Sequence, residues 1–308
     1  MYSSALSELL TLEASSVQVF AKARTVAFKK HHRRYDLVLF GATGYTGLMT
    51  AEHIALHLPT DLRWAIAGRS VERLQNVVRE CHGLNADRRM PEIEVWDLND
   101  ADLAALAKKT FITTVGPFAK YGEDAFKACA EAGTHYLDCT GEAIWTLEMI
   151  QKYEATAKST GACMITQCGV ESATSDLMTY SIASLIRSEL SAATSDVVVD
   201  FHEVQFIFKP GEEPSREEGA NNYFEVWGVA TPDVESSVRK QALCRAWYSG
   251  SMYYLTGILL AQAACTLLQG GAPLEGAGGG VYTPACLGQK YIRVHEHGFK
   301  FETKIIDA

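Results

Sequence analysis

The stretch that most limits the fold of this chain is YDLVLFGATGYTG, which runs from residue 35 to residue 47. A mostly apolar run of strand length leads into Gly41, Gly44 and Gly47, spaced three residues apart. Glycine permits a tight turn, close approach of a ligand to the backbone, and close packing of the next helix. A helix that starts there presents free N–H groups and a partial positive charge to phosphates. The pattern predicts the pyrophosphate turn of a nucleotide-binding fold rather than a simple bend after a buried strand.

Short apolar runs alternate with amphipathic segments after this turn. Helices are predicted over Ser70–Cys81, Glu123–Ala132 and Glu142–Ser159. Five more strands are predicted between them, namely RWAIA, EIEVW, FITTV, HYLDC and CMITQ, which begin at residues 63, 92, 111, 135 and 163. Apolar strands that alternate with helices pair in parallel, with both faces of the sheet covered. The sequence therefore predicts an α/β fold with a complete doubly wound parallel Rossmann sheet.

The pattern changes in the last third of the chain. After a helix predicted over Ser172–Leu190 comes a long β-rich segment, Asp196–Phe208, and then a charged loop. Met252–Leu268 is mostly apolar but shorter than the roughly 20 residues that span a bilayer. It predicts a buried helix, with membrane contact as the alternative. The C-terminal FKFETKII predicts a short edge strand.

Charge and cysteine content argue against a nucleic-acid-binding protein and against a cysteine-based metal site. The formal net charge is -9, which argues against a nucleic-acid-binding protein. The eight cysteines include no C-x-x-C pair, so no metal site is predicted, and free thiols favour a cytoplasmic location. Residues 1–34 end in the basic run KKHHRR and resemble a mitochondrial targeting segment in charge. Glu8 and Glu13 favour a loosely packed extension instead.

The end of the second predicted strand distinguishes NAD(H) from NADP(H). An NAD-preferring site has an acidic residue near this point that binds the ribose 2'-hydroxyl. Here the chain reads AIAGRS, with no acid before Glu72. Arg69 and Ser70 occupy the expected position of a 2'-phosphate, for which a guanidinium offers a planar fork. This predicts NADP(H), the alternative being an ordinary solvated arginine at the start of a helix.

Further cofactor-binding residues are predicted at the turns after the strands. They are Thr43, Tyr45 and Thr46 in the glycine turn, Asp97 after the third strand, and Gly116 and Pro117 after the fourth. The threonine hydroxyls add donors for phosphate, and the small, rigid backbone at Gly116 permits close approach of the cofactor. Asp97 is interpreted either as part of an adenine pocket or as an exposed turn residue.

Four stretches together resemble the saccharopine dehydrogenase family, in particular its saccharopine dehydrogenase-like oxidoreductase and trans-acting enoyl reductase branch. They are FGATGYTG, AGRSVERL, TVGPFAKYGEDAFKACAEAGTHYLDCTGE and GGGVYTPA. The resemblance covers residues 35 to about 205 and resumes near 270, and its third stretch is the most specific. It implies hydride transfer with NADP(H) or NAD(H). The enoyl reductase branch reduces a carbon–carbon double bond in an acyl chain made by a polyketide synthase in secondary metabolism, and saccharopine-forming relatives reduce an imine.

The chain also departs from this family. Members carry a sizeable second domain with its own mixed sheet after the strand represented here by DVVVDFHEV, whereas this chain continues into QFIFKPGEEPS. The predicted domains are an N-terminal extension at residues 1–34, an NADP-binding Rossmann domain at 35–195, and an abbreviated second α+β portion at 196–308. That last region would form the substrate and C-terminal part.

No residue stands out as the proton donor. Four candidates are predicted near the carboxyl edge of the sheet, and each is also explained as structural or solvated: Lys120, Tyr121, His135 and Glu142. None of the 13 tyrosines has a lysine four residues later, which excludes most short-chain dehydrogenases. The expected substrate is a small-molecule or carrier-bound acyl group, with a polyketide synthase as the expected partner. A non-catalytic NADP-binding sensor is the alternative from another class.

Overall fold

The structure is a computed structural model that describes residues 32–96, 108–203, 213–234, 240–270, 278–291 and 296–307. Strands and helices alternate through the first part of the chain. They are β1 (Tyr35–Phe40), α1 (Tyr45–His57), β2 (Trp64–Gly68), α2 (Val71–Leu84), β3 (Glu92–Val95), β4 (Lys108–Thr113), α3 (Phe118–Tyr121), α4 (Glu123–Ala132), β5 (His135–Asp138), α5 (Ala143–Thr160), β6 (Cys163–Ile165) and α6 (Val170–Leu190).

The rest of the described chain contains longer strands. Its elements are β7 (Thr194–Glu203), α7 (Arg216–Ala220), β8 (Tyr223–Pro232), β9 (Lys240–Ser249), α8 (Met252–Leu268), β10 (Gly280–Tyr282), a 3₁₀ turn (Pro284–Leu287), α9 (Gly288–Tyr291) and β11 (Lys300–Asp307).

The first sheet has seven strands in the order β10-β6-β5-β4-β1-β2-β3, and every pairing in it is parallel. β1 and β2 are buried along their whole length because helices cover both faces. Alternate residues enter two cores, so that Leu37 and Leu39 face one while Val38 and Phe40 face the other. The predicted doubly wound parallel Rossmann sheet is confirmed.

The seventh strand was not predicted. β10 comes from the glycine-rich GGGVYTPA and pairs with β6, with Val281 opposite Met164. A three-residue strand that begins with a glycine has too little apolar periodicity to be predicted from the sequence. The predicted domain boundary at residue 195 stays a prediction, but the parallel sheet takes an edge strand from beyond it.

Helix α8 also lies beyond that boundary and packs on α1. A Cβ at Gly257 would lie 2.9 Å from the backbone nitrogen of Thr50, so the missing side chain lets the two helices approach closely. Most of α8 is buried, which confirms the predicted buried helix. Within the described part of the chain, no helix combines the length and apolar character needed to cross a membrane.

The second sheet is antiparallel, in the order β11-β9-β8-β7. It is the small α+β portion that the sequence predicts, and β11 lies at its edge as predicted. β7 ends at Glu203, and the remainder of the predicted segment, residues 204–208, lies outside the described residues. β8 and β9 were not predicted from the sequence, although Phe224 and Val226 alternate with more exposed residues in the way of a half-buried strand.

Candidate dinucleotide site

The turn after β1 has a shape that only glycine can adopt at its first position. Gly41 has φ +89°, and a Cβ there would lie 2.7 Å from Thr114 Oγ1 and 2.8 Å from Val115 Cγ2. The amide of Gly44 donates a 2.9 Å hydrogen bond to the carbonyl oxygen of Gly41, which closes the turn. The hydroxyl of Thr114 donates a 3.3 Å hydrogen bond to the same carbonyl oxygen, which holds the turn against the segment that follows β4.

Gly47 allows α1 to begin directly on this turn. A Cβ at Gly47 would lie 2.1 Å from the carbonyl oxygen of Gly41, well inside any real contact. Gly44 precedes the helix and provides no capping side chain, and the first turn of α1 contains no acidic residue. The first amides of a helix have no intrahelical partners and lie at its positive end. These features fit the diphosphate of a dinucleotide.

Tyr45 and Thr46 differ in what they present to this turn. The ring of Tyr45 packs edge-on against Tyr253 of α8, with 5.0 Å between ring centroids, so it contributes to helix packing. Thr46 is half-buried in the first turn of α1, and its carbonyl oxygen accepts a hydrogen bond from the hydroxyl of Thr50. Thr46 therefore remains a candidate phosphate ligand, whereas Tyr45 acts through the position of the helix.

Two arginines lie near the turn after β2. Arg69 follows β2 directly and is exposed. Ser70 caps α2 by accepting a 3.3 Å hydrogen bond from the amide of Arg73. The guanidinium of Arg73 donates a 2.7 Å hydrogen bond to the carbonyl oxygen of Thr43. The sequence analysis missed Arg73, and the signal available was its place in the first turn of the helix that begins directly after Arg69 and Ser70.

The segment after β4 lies beside the glycine turn. Thr114 donates from its backbone nitrogen to the carbonyl oxygen of Phe40, 3.0 Å away, which holds this segment against the end of β1. Gly116 and Pro117 follow, are exposed, and are joined by a cis peptide bond. Asp97, the predicted adenine-pocket residue, lies outside the described residues.

Three of the predicted catalytic candidates lie close together at the carboxyl edge. The carboxylate of Glu142 accepts hydrogen bonds from the backbone nitrogens of Phe118 (2.6 Å) and Ala119 (2.9 Å), and so anchors the start of α3. Lys120 and Tyr121 lie on α3, with the lysine Nζ 4.8 Å from the centre of the tyrosine ring. Glu142 therefore fixes the helix that carries the other two candidates.

The fourth candidate, His135, is at the other end of the sheet. It is the first residue of β5, and its Nδ1 accepts a 3.1 Å hydrogen bond from the backbone nitrogen of Cys163, the first residue of β6. Parallel strands start at the amino edge, whereas ligands of open α/β sheets bind beyond the carboxyl edge. The prediction that His135 reaches the carboxyl edge is wrong for this reason.

Asp138, at the carboxyl end of β5, ties two loops of this edge together. Its side chain is fully buried, and Oδ1 accepts hydrogen bonds from the backbone nitrogens of Thr140 (3.0 Å) and Gln167 (2.9 Å). Burial raises the pKa of this carboxyl group to about 6, against the opposing effect of those two amides. Asp138 thereby sets the geometry of the loops after β5 and β6.

The glycine turn, Arg69 and the segment after β4 thus meet where the strand order reverses, between β1 and its neighbours β2 and β4. This switch point is where doubly wound sheets bind dinucleotides. A tight turn with glycines at its close contacts, a positive helix end and a nearby guanidinium suit a phosphorylated dinucleotide.

Comparison with known proteins gives the same result for this part of the chain. Residues 37–165 match the family model of the saccharopine dehydrogenase NADP binding domain. A trans-acting enoyl reductase of Mycobacterium leprae (strain TN) is 43% identical over 152 residues, which are 49% of this chain and 36% of that protein. A trans-acting enoyl reductase of Mycobacterium tuberculosis (strain ATCC 25618 / H37Rv) is 43% identical over 158 residues, with the same shares. The matched part thus spans little more than a third of the length of these relatives.

A solved structure shares the fold. Apo saccharopine dehydrogenase (L-Glu forming) from Saccharomyces cerevisiae aligns with a TM-score of 0.59 at 9% identity, and the alignment covers 88% of this chain and 100% of that one. At this identity the likeness concerns the fold alone. The family match, by contrast, covers the glycine turn, both arginines and the carboxyl edge as far as β6. Residues 37–165 of this chain thus match the saccharopine dehydrogenase NADP binding domain, and the cofactor of this domain is NADP(H).

Proposed function

We propose that this protein is an NADP(H)-dependent oxidoreductase of the enoyl reductase type, which reduces a carbon–carbon double bond in a polyketide or other acyl intermediate. The observation that carries the proposal is the 43% identity to trans-acting enoyl reductases over 49% of this chain. A saccharopine-type imine reduction has less support, because the likeness to saccharopine dehydrogenase itself is one of fold.

Different residues of the site would bind different parts of the cofactor. When bound, NADPH supplies the hydride that reduces an electron-poor carbon. The glycine turn and the first amides of α1 would hold the diphosphate, and Arg69 would bind the 2'-phosphate. The segment around Gly116, which lies against the end of β1, would border the reactive end of the cofactor.

The carboxyl edge also has apolar side chains suited to an acyl chain. Ile144 and Leu147 lie one turn apart near the start of α5, with 78% and 54% of their surfaces exposed. We assign this pair as the apolar surface that an acyl chain would contact. We infer that the substrate is a small-molecule or carrier-bound acyl group delivered by a separate polyketide synthase, as the relatives' name "trans-acting" suggests.

Lys120 and Tyr121 are the side chains that we assign as candidates for supplying a proton, with water as the alternative source. Both lie on α3 at the carboxyl edge, and Glu142 holds the start of that helix. Glu142 accepts two backbone hydrogen bonds and is a positioning residue. A cytoplasmic location belongs to the same proposal, supported by eight cysteines that are all free.

The test combines binding with turnover. Calorimetry with NADPH and NADH is expected to show a preference for NADPH of at least about tenfold, which corresponds to ~1.4 kcal/mol. Enoyl thioesters of increasing chain length are then expected to oxidise NADPH, while the saturated thioesters serve as the matched control. NADPH binding without turnover of any enoyl thioester or imine would leave a non-catalytic sensor, and absence of binding would refute the proposal altogether.

A further inference from the structure

Three histidines from two distant parts of the chain meet at one point. His53 and His57 lie four residues apart in the last turns of α1, and therefore on the same face of the helix. His297 lies in the turn before β11. One ring nitrogen from each comes within 4.8 Å of the others, and the ring centroids are 4.6 to 4.8 Å apart. We call these three residues the histidine cluster.

The three histidines differ in their exposure to solvent. His53 is fully buried, His297 is half-buried and His57 is exposed. A metal ion bound among them would be held by protein on one side and would face water on the other. Three protein ligands with an open fourth position are the arrangement of many zinc sites that bind a water molecule.

His53 has the chemistry of a metal ligand. Its Nε2 lies 3.0 Å from the carboxamide nitrogen of Gln262 in α8. Its Nδ1 is buried and has no hydrogen-bond partner among the described residues. This buried nitrogen is therefore available to a metal ion.

Gln262 can act as the supporting partner of this ligand. A histidine that binds a metal generally donates its other ring N–H to an oxygen atom, which fixes the ring. A half-turn of the Gln262 carboxamide places its oxygen opposite Nε2 of His53, which leaves Nδ1 to bind the ion. The two ends of an amide side chain are interchangeable in shape, so this turn requires no repacking.

The spacing of the rings requires a small contraction. In a tetrahedral zinc site the metal–nitrogen distance is about 2.0–2.1 Å, which places two ligand nitrogens roughly 3.3 Å apart. The cluster nitrogens lie within 4.8 Å, so the rings must move together by about 1 to 1.5 Å. The exposed His57 and the half-buried His297 can make this movement by side-chain rotation.

The cluster is separate from the dinucleotide site. α1 begins at Tyr45 on the glycine turn and ends at His57, so the two histidines lie roughly 12 and 18 Å along the helix from that turn. No residue of the cluster is among the predicted cofactor or catalytic residues. The sequence predicted no metal site because cysteine spacing was considered, whereas this set joins two helical histidines to a third one far away in the chain.

From this geometry we propose that His53, His57 and His297 bind one late first-row divalent metal ion, with Zn²⁺ as the ion to test, and solvent in its remaining position. Imidazole nitrogens suit zinc, copper and nickel rather than magnesium or calcium. The bound ion would join α1, beside the parallel sheet, to the turn that leads into β11 of the antiparallel sheet. It would therefore stabilise the folded protein without taking part in hydride transfer.

The experiment uses full-length protein without a histidine tag, treated with a chelator and then titrated with Zn²⁺ by calorimetry. One equivalent is expected to bind and to raise the Tm, since a ligand that binds only the folded state stabilises it. Titration with Co²⁺ is expected to give the visible absorption of a four-coordinate site. NADPH affinity is expected to be the same with and without Zn²⁺.

Histidine-to-alanine variants test whether the histidine cluster is the Zn²⁺-binding site. His57→Ala and His297→Ala are each expected to weaken Zn²⁺ binding at least tenfold and to remove the Tm shift. His82→Ala, which changes an exposed histidine on α2, is the matched control and should bind Zn²⁺ as the wild type does. The proposal is overturned if the wild type binds no zinc, or if both cluster variants bind it unchanged. In either case the three rings only pack against one another.

Discussion

Arg73 donates a hydrogen bond of 2.7 Å from its guanidinium to the carbonyl oxygen of Thr43, and so joins α2 to the glycine turn. Arg69, four residues earlier, is exposed at the end of β2. The two arginines of AGRSVERL therefore have different roles. Arg73 holds the turn to which we assign the diphosphate, and Arg69 is the residue that we propose for the 2'-phosphate.

Replacement of the two arginines is expected to separate these roles. Arg69→Ala should weaken NADPH binding by about tenfold, the equivalent of ~1.4 kcal/mol, and leave NADH binding unchanged. Arg73→Ala should weaken the binding of both cofactors by a similar factor, roughly fivefold for the loss of one hydrogen bond. Calorimetric titration of both variants with both cofactors measures this. Equal loss of NADPH and NADH affinity in Arg69→Ala would contradict the assignment.

Gly47→Ala is expected to destabilise the fold as well as the site. Its Cβ would lie 2.1 Å from the carbonyl oxygen of Gly41, and backbone on both sides prevents easy relief. Such overpacking costs about 1–3 kcal/mol or more in the free energy of unfolding. Urea denaturation measures the change.

The matched control is Gly83→Ala, in the last turn of α2. No atom lies within 4 Å of a Cβ at that position. Alanine there should stabilise the protein by about 0.4–1 kcal/mol, because it restricts the unfolded chain. If the two variants shift the denaturation midpoint in the same direction, the argument from close packing at Gly47 fails.

Glu142 is expected to affect the carboxyl edge through the position of α3. Glu142→Ala removes both acceptors for the amides of Phe118 and Ala119 and should cost about 1–2 kcal/mol, the usual cost of losing a helix cap. Glu142→Gln keeps one acceptor and should cost less. Glu123→Gln, which alters a surface ion pair with Lys152, is the control and should change stability by about 0.5 kcal/mol or less. Thermal denaturation at constant pH compares the three, and an equal effect of Glu142→Ala and Glu123→Gln would argue against the anchoring role.

Asp138 should make stability depend on pH in an unusual direction for a carboxyl group. Its folded-state pKa is raised to about 6, above the unfolded value near 4, so the folded state holds the proton between these values. The free energy of unfolding therefore falls as pH rises from about 4 to 6, by roughly 3 kcal/mol for this group alone. Above about pH 6 the buried carboxyl group is ionised in the folded state, and this loss of stability is complete.

Asp138→Asn tests this contribution. The asparagine oxygen can still accept from the amides of Thr140 and Gln167, but the group no longer ionises. Relative to the wild type, the variant should gain stability as pH rises from about 4 to 7. Guanidinium denaturation at several pH values gives the difference, and two parallel pH profiles would show that Asp138 does not titrate in this range.

The sequence predicted the features that depend on residues close together in the chain. The glycine turn, the apolar parallel strands and the buried helix α8 all follow from local spacing and composition, and the structure contains each of them. The error at His135 came from the direction of β5. A residue at the start of a parallel strand is carried to the edge away from the ligand, however close in sequence it lies to Asp138.

Features that depend on distant parts of the chain escaped prediction. β10 forms only because β6 offers an unpaired edge, and the role of Arg73 exists only because α2 approaches the glycine turn. In the histidine cluster, the spacing of His53 and His57 was visible in the sequence. The arrival of His297 beside them was not.

The place of β10 in the parallel sheet has a consequence for the order of events during synthesis. Roughly 115 residues separate the end of β6 from the end of β10, which the ribosome adds in roughly 6 to 23 s at about 5–20 residues per second. During that interval β6 remains an open edge, and the face of α1 that α8 later covers is exposed to water. The nucleotide-binding sheet thus begins to form well before its edge strand β10 has been made, and only that later segment completes it.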